Sequence, residues 1–453
     1  MKLNISKKDI KTNRGITLIA LVITIIVLLI LAGITVVTLT GDNGILTKVG
    51  DARNRNTDAE IEEEIRVAWN KVYMDSYLDS TTDKANALKT ELEKNGYTVE
   101  DVSANGNKIT IKNYRGKDKV LDVSTGTVKE PSQIAKAISE GTVYNDNTPM
   151  TDEYENTFII PKGFKLSKDS AEVVTEGIVI EDATYTNTLK SEFVWIPVSK
   201  DNKKIVGPAY SGADRIAKKE ATITLSRYTF DKNGTSNDQD SNSYFEEEPR
   251  ETGTKNAVAK NINEFISKTN AAGGFWIGRY EARIEEYESL NTRCPKNDPN
   301  WTGYTGGKLV EKPEAQVFNY ITQKKASELS RTMYSSNNYF ESDLINSYAW
   351  DTATLFLQEF GWKNYSRQTS INTSGPNANG TVSDSNKDNP CNIYDMASNC
   401  AEWTTETCSD SGYPCVSRGG FYDNSNGYTS ARGSGPTTTA YDDLSFRPVL
   451  YIK

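Results

Sequence analysis

The hydrophobic pattern of this chain changes character three times. From Ile16 to Leu39 there are 24 residues without a charge, enough for about 36 Å of helix at 1.5 Å per residue. That length crosses a bilayer. Lys2, Lys7, Lys8, Lys11 and Arg14 precede the run and place the N-terminus on the cytoplasmic side. A secretory signal peptide has a shorter apolar core with a small-x-small cleavage site behind it, so this run is expected to be retained. The helix is expected to break near Gly41-Asp42-Asn43-Gly44 and resume, because Ile61, Ile65, Ala68 and Val72 recur at helical spacing beside Glu60, Glu62, Glu63 and Glu64. A second helix is predicted over Lys84 to Lys94, stopped by Asn95-Gly96. Lys108 to Ile111 and Val120 to Val123 then alternate as strands around a turn at Arg115 to Asp118.

Residues 127–152 are polar and turn-rich and predict a linker. Beyond it, short aromatic-rich runs reappear: Phe158 to Pro161, Gly177 to Ile180, Phe193 to Val198 and Gly274 to Glu281. Long polar stretches separate them, and Asp231 to Ser243 reads as a surface loop. Helices are expected around Thr322 to Tyr334 and Leu344 to Phe360. The expected fold class is α+β: a long N-terminal helix with a small antiparallel sheet over residues 16–126, then a larger domain over 153–453 with much irregular structure.

Composition narrows the chemistry. The net charge of -9 leaves no basic stripe for phosphate, so no nucleic-acid partner is expected. The chain contains no histidine. That removes Ser-His-Asp and Cys-His catalysis, His-based zinc sites and the facial triad of non-haem iron. Of five cysteines, Cys391, Cys400, Cys408 and Cys415 fall close together and Cys294 stands apart. Disulfides among the four have three pairings open to them, free buried thiols are the plain alternative, and zinc is disfavoured because no CxxC pair occurs.

Arg14-Gly15-Ile16-Thr17-Leu18-Ile19 resembles the type IV prepilin signal. The resemblance implies that residues 1–15 are a leader, that cleavage falls between Gly15 and Ile16, and that the new N-terminus is methylated. It also implies that residues 16–39 anchor the chain in the membrane or pack with other pilins. The fifth mature position, usually Glu, is Ala20 here. Three readings stay open: a minor or tip pilin, a display protein carried on a pilin-like helix, and a plain anchor.

The specific signal lies near the C-terminus. Asn392-Ile393-Tyr394-Asp395-Met396-Ala397-Ser398-Asn399-Cys400-Ala401-Glu402-Trp403, Ser417-Arg418-Gly419-Gly420-Phe421 and Ser445-Phe446-Arg447-Pro448-Val449-Leu450, with Gly278-Arg279-Tyr280-Glu281 upstream, resemble the formylglycine-generating-enzyme family. That family is a variant of the C-type lectin fold. Its copper-binding cysteines correspond to Asp443 and Pro448, and its iron-dependent relatives need histidines, so neither copper nor iron is expected and the chain is read as no enzyme. The resemblance implies calcium held by side chains of Asp395 and Glu402 and carbonyls of Ser398 and Cys400. Oxygen ligands suit that ion; the plain alternative is that Asp395 and Glu402 cap turns or pair with Arg418.

Between Gly419 and Ser445, 21 of 27 residues are Gly, Ser, Thr, Asn, Asp or Tyr. Such a stretch cannot build a core, yet it has the composition of recognition loops, in which Tyr gives contact area at low entropic cost. Tyr422, Asn424, Asn426, Tyr428, Ser434, Thr437, Thr438, Thr439 and Tyr441 are the expected contacts. Arg418, Gly419, Gly420, Phe446 and Arg447 are their expected frame. The pattern is also similar to the variable proteins of diversity-generating retroelements; a fixed adhesin and a partnerless polar loop are the alternatives. The expected function is ligand binding at the cell surface or on a pilus, toward a protein or glycan on another cell, phage or host. A structural minor pilin or pseudopilin of a pilus or type II secretion-like system is the competing reading.

Overall fold

The computed structural model describes residues 22–28, 45–78, 83–102, 108–114, 117–186, 188, 190–211, 214–231, 236–238, 244–245, 261–284, 309–312, 317–335, 337–370, 388–422 and 427–453. The chain divides into two compact units, Met1–Pro131 and Ser132–Lys453. Gly15, Ile16, Ala20 and most of the apolar run lie outside the described residues. Within that run residues 22–28 are helical and exposed. Among the described residues no helix is long and apolar enough to cross a membrane.

In the first unit, helix Ile45–Leu78 is followed by helix Lys84–Lys94. The Asp83 side chain caps the second helix by accepting from the amides of Ala85 and Asn86. Its end falls at Asn95 and Gly96, as the sequence predicts. Four strands follow in sheet order: Thr98–Val102, Lys108–Tyr114, Lys117–Asp122 and Val128–Lys129. Ile61, Ile65, Ala68 and Val72 of the long helix pack with Ile109, Ile111 and Leu121 of the sheet. The last strand pairs Val128 with Leu121, so the expected linker 127–152 is a correction. Its start completes this sheet. Its remainder belongs to the second unit as helix Gln133–Glu140, capped by Ser132, and strand Thr148–Thr151. Burial of Ile134 and Ala137 on one helix face, absent from a composition average, explains the difference.

Lys119 ties helix to sheet. Its side chain is almost wholly buried, yet its ammonium lies 3.2–3.3 Å from Asp58, Glu62 and Glu130. Burial alone lowers such an ammonium's pKa, but hydrogen bonds to Glu62, Asp58 and Glu130 outweigh it and hold the pKa above the usual lysine value.

The second unit is built on a six-stranded antiparallel sheet in the order Phe340–Leu344, Pro448–Ile452, Gly274–Gly278, Glu192–Pro197, Val179–Asp182, Phe164–Leu166. Every residue of Glu192–Pro197 is buried. Val194 and Ile196 pack on one side with Ala349, Trp350 and Phe356, whereas Phe193 and Trp195 pack on the other with Phe158, Trp276 and Phe340. Both faces are covered, which is why these strands read as unbroken apolar runs without polar alternation.

A second sheet runs Tyr244–Phe245, Ala401–Cys408, Cys415–Arg418, Arg432–Gly435, with Leu444–Phe446 pairing in parallel to Ala401–Cys408. Within the expected loop 231–243, Ser236–Asp238 pairs with Tyr228–Phe230. The expected helix from Leu344 splits. Leu344 ends a strand paired to Pro448, and the helix is Ser347–Phe356, capped by the Asn346 side chain and continued by a wider π-type turn at Leu357–Gly361. The other expected helix is Gln323–Thr332, with Thr322 as its cap.

If Lys119 anchors the first unit's helix, Lys119→Met leaves three carboxylates facing one another. Loss of about 1–3 kcal/mol in that unit's unfolding free energy is expected, read by chemical denaturation of the full chain. An unchanged midpoint would show that the three contacts contribute nothing.

Candidate functional site

Two buried charge clusters underlie the C-terminal loop. The first joins the sheets. Phe446 ends a strand of the second sheet and Pro448 begins one of the first, so Arg447 stands at the crossing. Its guanidinium donates to both carboxylate oxygens of Glu402, 2.6 Å from Nε to Oε2, and also to the carbonyls of Gly278 and Tyr394 at 3.1 and 2.8 Å. Both side chains are fully buried. Burial opposes the charge on Arg447, but Glu402 and then Glu281 and Glu311 hold its pKa above the usual value.

Glu281, Glu311, Asp388 and Asp395 are buried around this pair. Glu281 accepts from the amide of Cys400 at 2.9 Å and from the Asn399 side chain. Burial first, then Glu402 and Asp395, pushes Glu281 well above the usual carboxylate range. Burial does the same to Glu311 against the pull of Arg447, and among the described residues neither Glu311 oxygen has a hydrogen-bond partner. Asp388 accepts from Tyr365 at 2.6 Å and the amide of Ala397 at 2.8 Å, which pins the Tyr394 to Ala397 segment. Asp395 has φ of 63°, and burial followed by Asp388 pushes its pKa up to about 8.

This arrangement gives Glu402, one of the expected calcium ligands, a protein partner. Glu402 gives both oxygens to Arg447. Among the described residues no three Asp, Glu or Cys side chains converge on a metal position. A dication needs ionised oxygens facing an open centre. At Glu402 a guanidinium takes that place.

The second cluster lies directly under the loop. Arg418 donates to Asp351 and, at 3.2 Å, to Glu406. Arg432 reaches the same two carboxylates at 2.8 and 2.9 Å, and Arg227 donates to Glu406 at 2.6 Å. Three cations share two anions. Burial raises the Glu406 pKa, yet Arg418, Arg432 and Arg227 together bring it below the usual value. Arg418 therefore pairs with Asp351 and Glu406, although its strand partner is Glu402.

From this base the loop is held at each end. Arg418 Nε donates to Ala431 O at 3.1 Å, and Trp350 Nε1 donates to Thr429 O at 2.9 Å. The amide of Tyr422 donates to Asn399 O, that of Thr429 to Gln368 O and that of Ser430 to Ser366 O. A Cβ on Gly420 would lie 2.2 Å from Ala397 O, and Gly419 has φ of 88° with its Cβ position 2.6 Å from Met396 O. Both glycines are required by close backbone approach.

On this frame Ser434, Thr437, Thr438 and Tyr441 are exposed, and Tyr422 and Tyr428 are half-buried. Thr439 is a correction: it is buried, its amide closing a turn on Pro436 O. Asn424 and Asn426 lie outside the described residues. Tyr422 donates to Asp442 at 3.0 Å, and partial burial and Asp442 push its pKa up to about 12. Arg367, absent from the expected contacts, stacks over the Tyr428 ring at 3.6 Å. Asp351, Glu406, Arg432, Glu281 and Glu311 were equally invisible as a group. Their ion pairs span up to 179 residues of chain, between Arg227 and Glu406, and no local spacing encodes it.

The cysteines take one of the alternatives left open for them. The four clustered cysteines are free; Cys294 lies outside the described residues. Cys415 pairs in register with Thr407, so Cys408 and Cys415 face opposite sides of the sheet. Burial pushes the Cys415 thiol up to about 12.

No family model matches the chain, and no curated protein matches it. Among solved structures, the crystal structure of CarF aligns at 15% identity and a TM-score of 0.28 over 47% of this chain and 98% of its own. Treponema denticola variable protein 1 aligns at 13% and 0.28 over 58% and 97%. The U1 variant of Major Tropism Determinant aligns at 13% and 0.27 over 80% and 88%. Likenesses of this size carry no inference about activity or ligand.

The pKa of Asp395 gives a signed expectation. It is raised from an unfolded value near 4 to about 8, so the stability of its protonated form is complete below about pH 4. That stability is lost as pH rises through about 8. Asp395→Asn keeps the left-handed backbone tolerable and is expected to flatten the fall in unfolding free energy between pH 5 and 9 by at least about 1 kcal/mol. Parallel curves for both proteins would refute the assignment.

Proposed function

We propose that this chain is a surface-displayed, non-catalytic ligand-binding protein. The retained helix from Ile16 would anchor it in the membrane or a pilus, and the polar surface between Gly419 and Ser445 would bind a partner on another cell, phage or host. The observation that carries this reading is the division of labour under the loop. Buried ion pairs and glycine contacts fix Arg418 to Gly420 and Ala431 to Arg432, while Ser434, Thr437, Thr438 and Tyr441 beyond them are exposed. A polar loop without a partner would not need so expensive a base, since burying charges costs several kcal/mol each before pairing.

The site is read as binding surface because its exposed groups are phenols, hydroxyls and amides on a preorganised frame. Preorganisation lowers the ordering cost of association. Tyr441, half exposed, and Tyr422, steadied by Asp442, give aromatic area near the loop ends. The diversified and fixed versions of this binder share that design. A reverse transcriptase gene beside a near-copy of the final coding segment, differing mainly at adenines, would establish the diversified one.

Full-length protein in detergent, tested by interferometry against a panel of purified bacterial and host surface proteins and glycans, is expected to yield at least one binder. Tyr422→Ala with Tyr441→Ala should weaken it roughly tenfold or more, as truncation of aromatic anchors does, without shifting the thermal midpoint by more than a few degrees. Binders indifferent to the double substitution would remove this surface from the function.

A further inference from the structure

Resting on the binding reading above, we infer that Arg367 is an anion-reading position on the same surface and that the partner presents a protein carboxylate to it. Arg367 ends the short helical turn Tyr365–Arg367. Its guanidinium carbon sits 3.6 Å from the centroid of the Tyr428 ring, close contact for a stacked cation and aromatic. Both partners are held by backbone. Thr369 bridges Tyr428, the amides of Thr429 and Ser430 donate to Gln368 and Ser366, and the amide of Arg367 donates to Asn364 O.

Three other arginines of this region, Arg418, Arg432 and Arg227, spend their donors on Asp351 and Glu406. Arg367 differs. Among the described residues no ion pair or hydrogen bond reaches its guanidinium. It is half-buried, beside one of the tyrosines of the candidate surface. Stacking satisfies the face of a guanidinium and leaves its edge, a planar fork of donors that matches a carboxylate in two parallel hydrogen bonds. A stacked fork has already lost much of its rotamer freedom, so less is lost on binding.

The net charge of -9 decides between sources of that carboxylate. A polyanionic glycan would be repelled at long range by the chain as a whole. A single Asp or Glu on a protein surface otherwise neutral or basic would not. The composition around Arg367, rich in Tyr, Ser, Thr and Gly, is also that of surfaces that bind proteins.

The test pans a random dodecapeptide library on immobilised full-length protein in detergent, with Arg367→Gln, Arg367→Lys and the Tyr422→Ala, Tyr441→Ala protein in parallel. Selected peptides are expected to share an acidic residue at one position. Their affinity should fall roughly ten- to a hundredfold with Arg367→Gln and recover only in part with Arg367→Lys, which keeps the charge and loses the fork. The Arg367 Nε–Hε resonance is expected to shift with glutarate and not with glutaramide. Peptides that lack the acid and ignore Arg367→Gln, yet are lost with the tyrosines, would overturn this inference and leave the binding reading standing. A resonance unmoved by glutarate would overturn it even if panning selected nothing. Oligogalacturonate that binds through Arg367 where acidic peptides do not would overturn the choice of a protein partner.

Discussion

The fork between Arg447 and Glu402 is the contact on which the larger unit depends. The chain passes from one sheet to the other at a single residue, and that residue's side chain bonds Glu402 in the second sheet, Gly278 in the first and Tyr394 in the loop between them. No apolar side chain could do this, because three separate carbonyl and carboxylate acceptors must be satisfied away from water. The cost is a charged pair in a dry interior. The surrounding acids raise it further, and they answer by holding protons: burial makes ionisation of Glu281, Glu311 and Asp395 unfavourable, so the local charge stays near what Arg447 can balance.

The second cluster applies the same chemistry with the opposite sign. Three arginines against Asp351 and Glu406 leave an excess of positive charge, which depresses the Glu406 pKa instead of raising it. Asp351 and Trp350 are neighbours on the helix Ser347–Phe356, whose apolar face packs the six-stranded sheet. One helix therefore transmits the position of the main core to the loop. Trp350 carries it by a hydrogen bond to Thr429, Asp351 through Arg418 and Arg432. The loop inherits its placement from a core that it does not help to form.

Much of this fold is legible in the sequence where burial is two-sided. Phe193 to Pro197 and Gly274 to Gly278 declare themselves because both faces are covered, and the glycines 419 and 420 stand out in an otherwise featureless polar stretch. The frame residues Arg418, Phe446 and Arg447 were also readable by resemblance. What escaped is long-range pairing. Leu344 looked helical within an apolar run because its strand partner, Pro448, lies a hundred residues on. The partner of Glu402 was hidden because nothing local says that Arg447 takes both of its oxygens. Nothing local marks Glu311, Asp351 and Glu406 as buried, since most carboxylates lie at the surface.

These features set which loop positions can be substituted while the fold stays fixed. Stability resides in two buried ion clusters and a sheet covered on both faces, and each closes without Tyr422, Ser434, Thr437, Thr438 or Tyr441. A substitution at an exposed loop position then changes contact chemistry at little cost in stability. A substitution at Gly420 does not, because any Cβ collides with the Ala397 carbonyl. Thr439 marks the border between the two classes: it sits among candidate contacts in sequence, but its burial against Gly435 makes it part of the turn that carries Tyr441 outward. Backbone pinned by buried charge lets the exposed side chains above it change without disturbing the core.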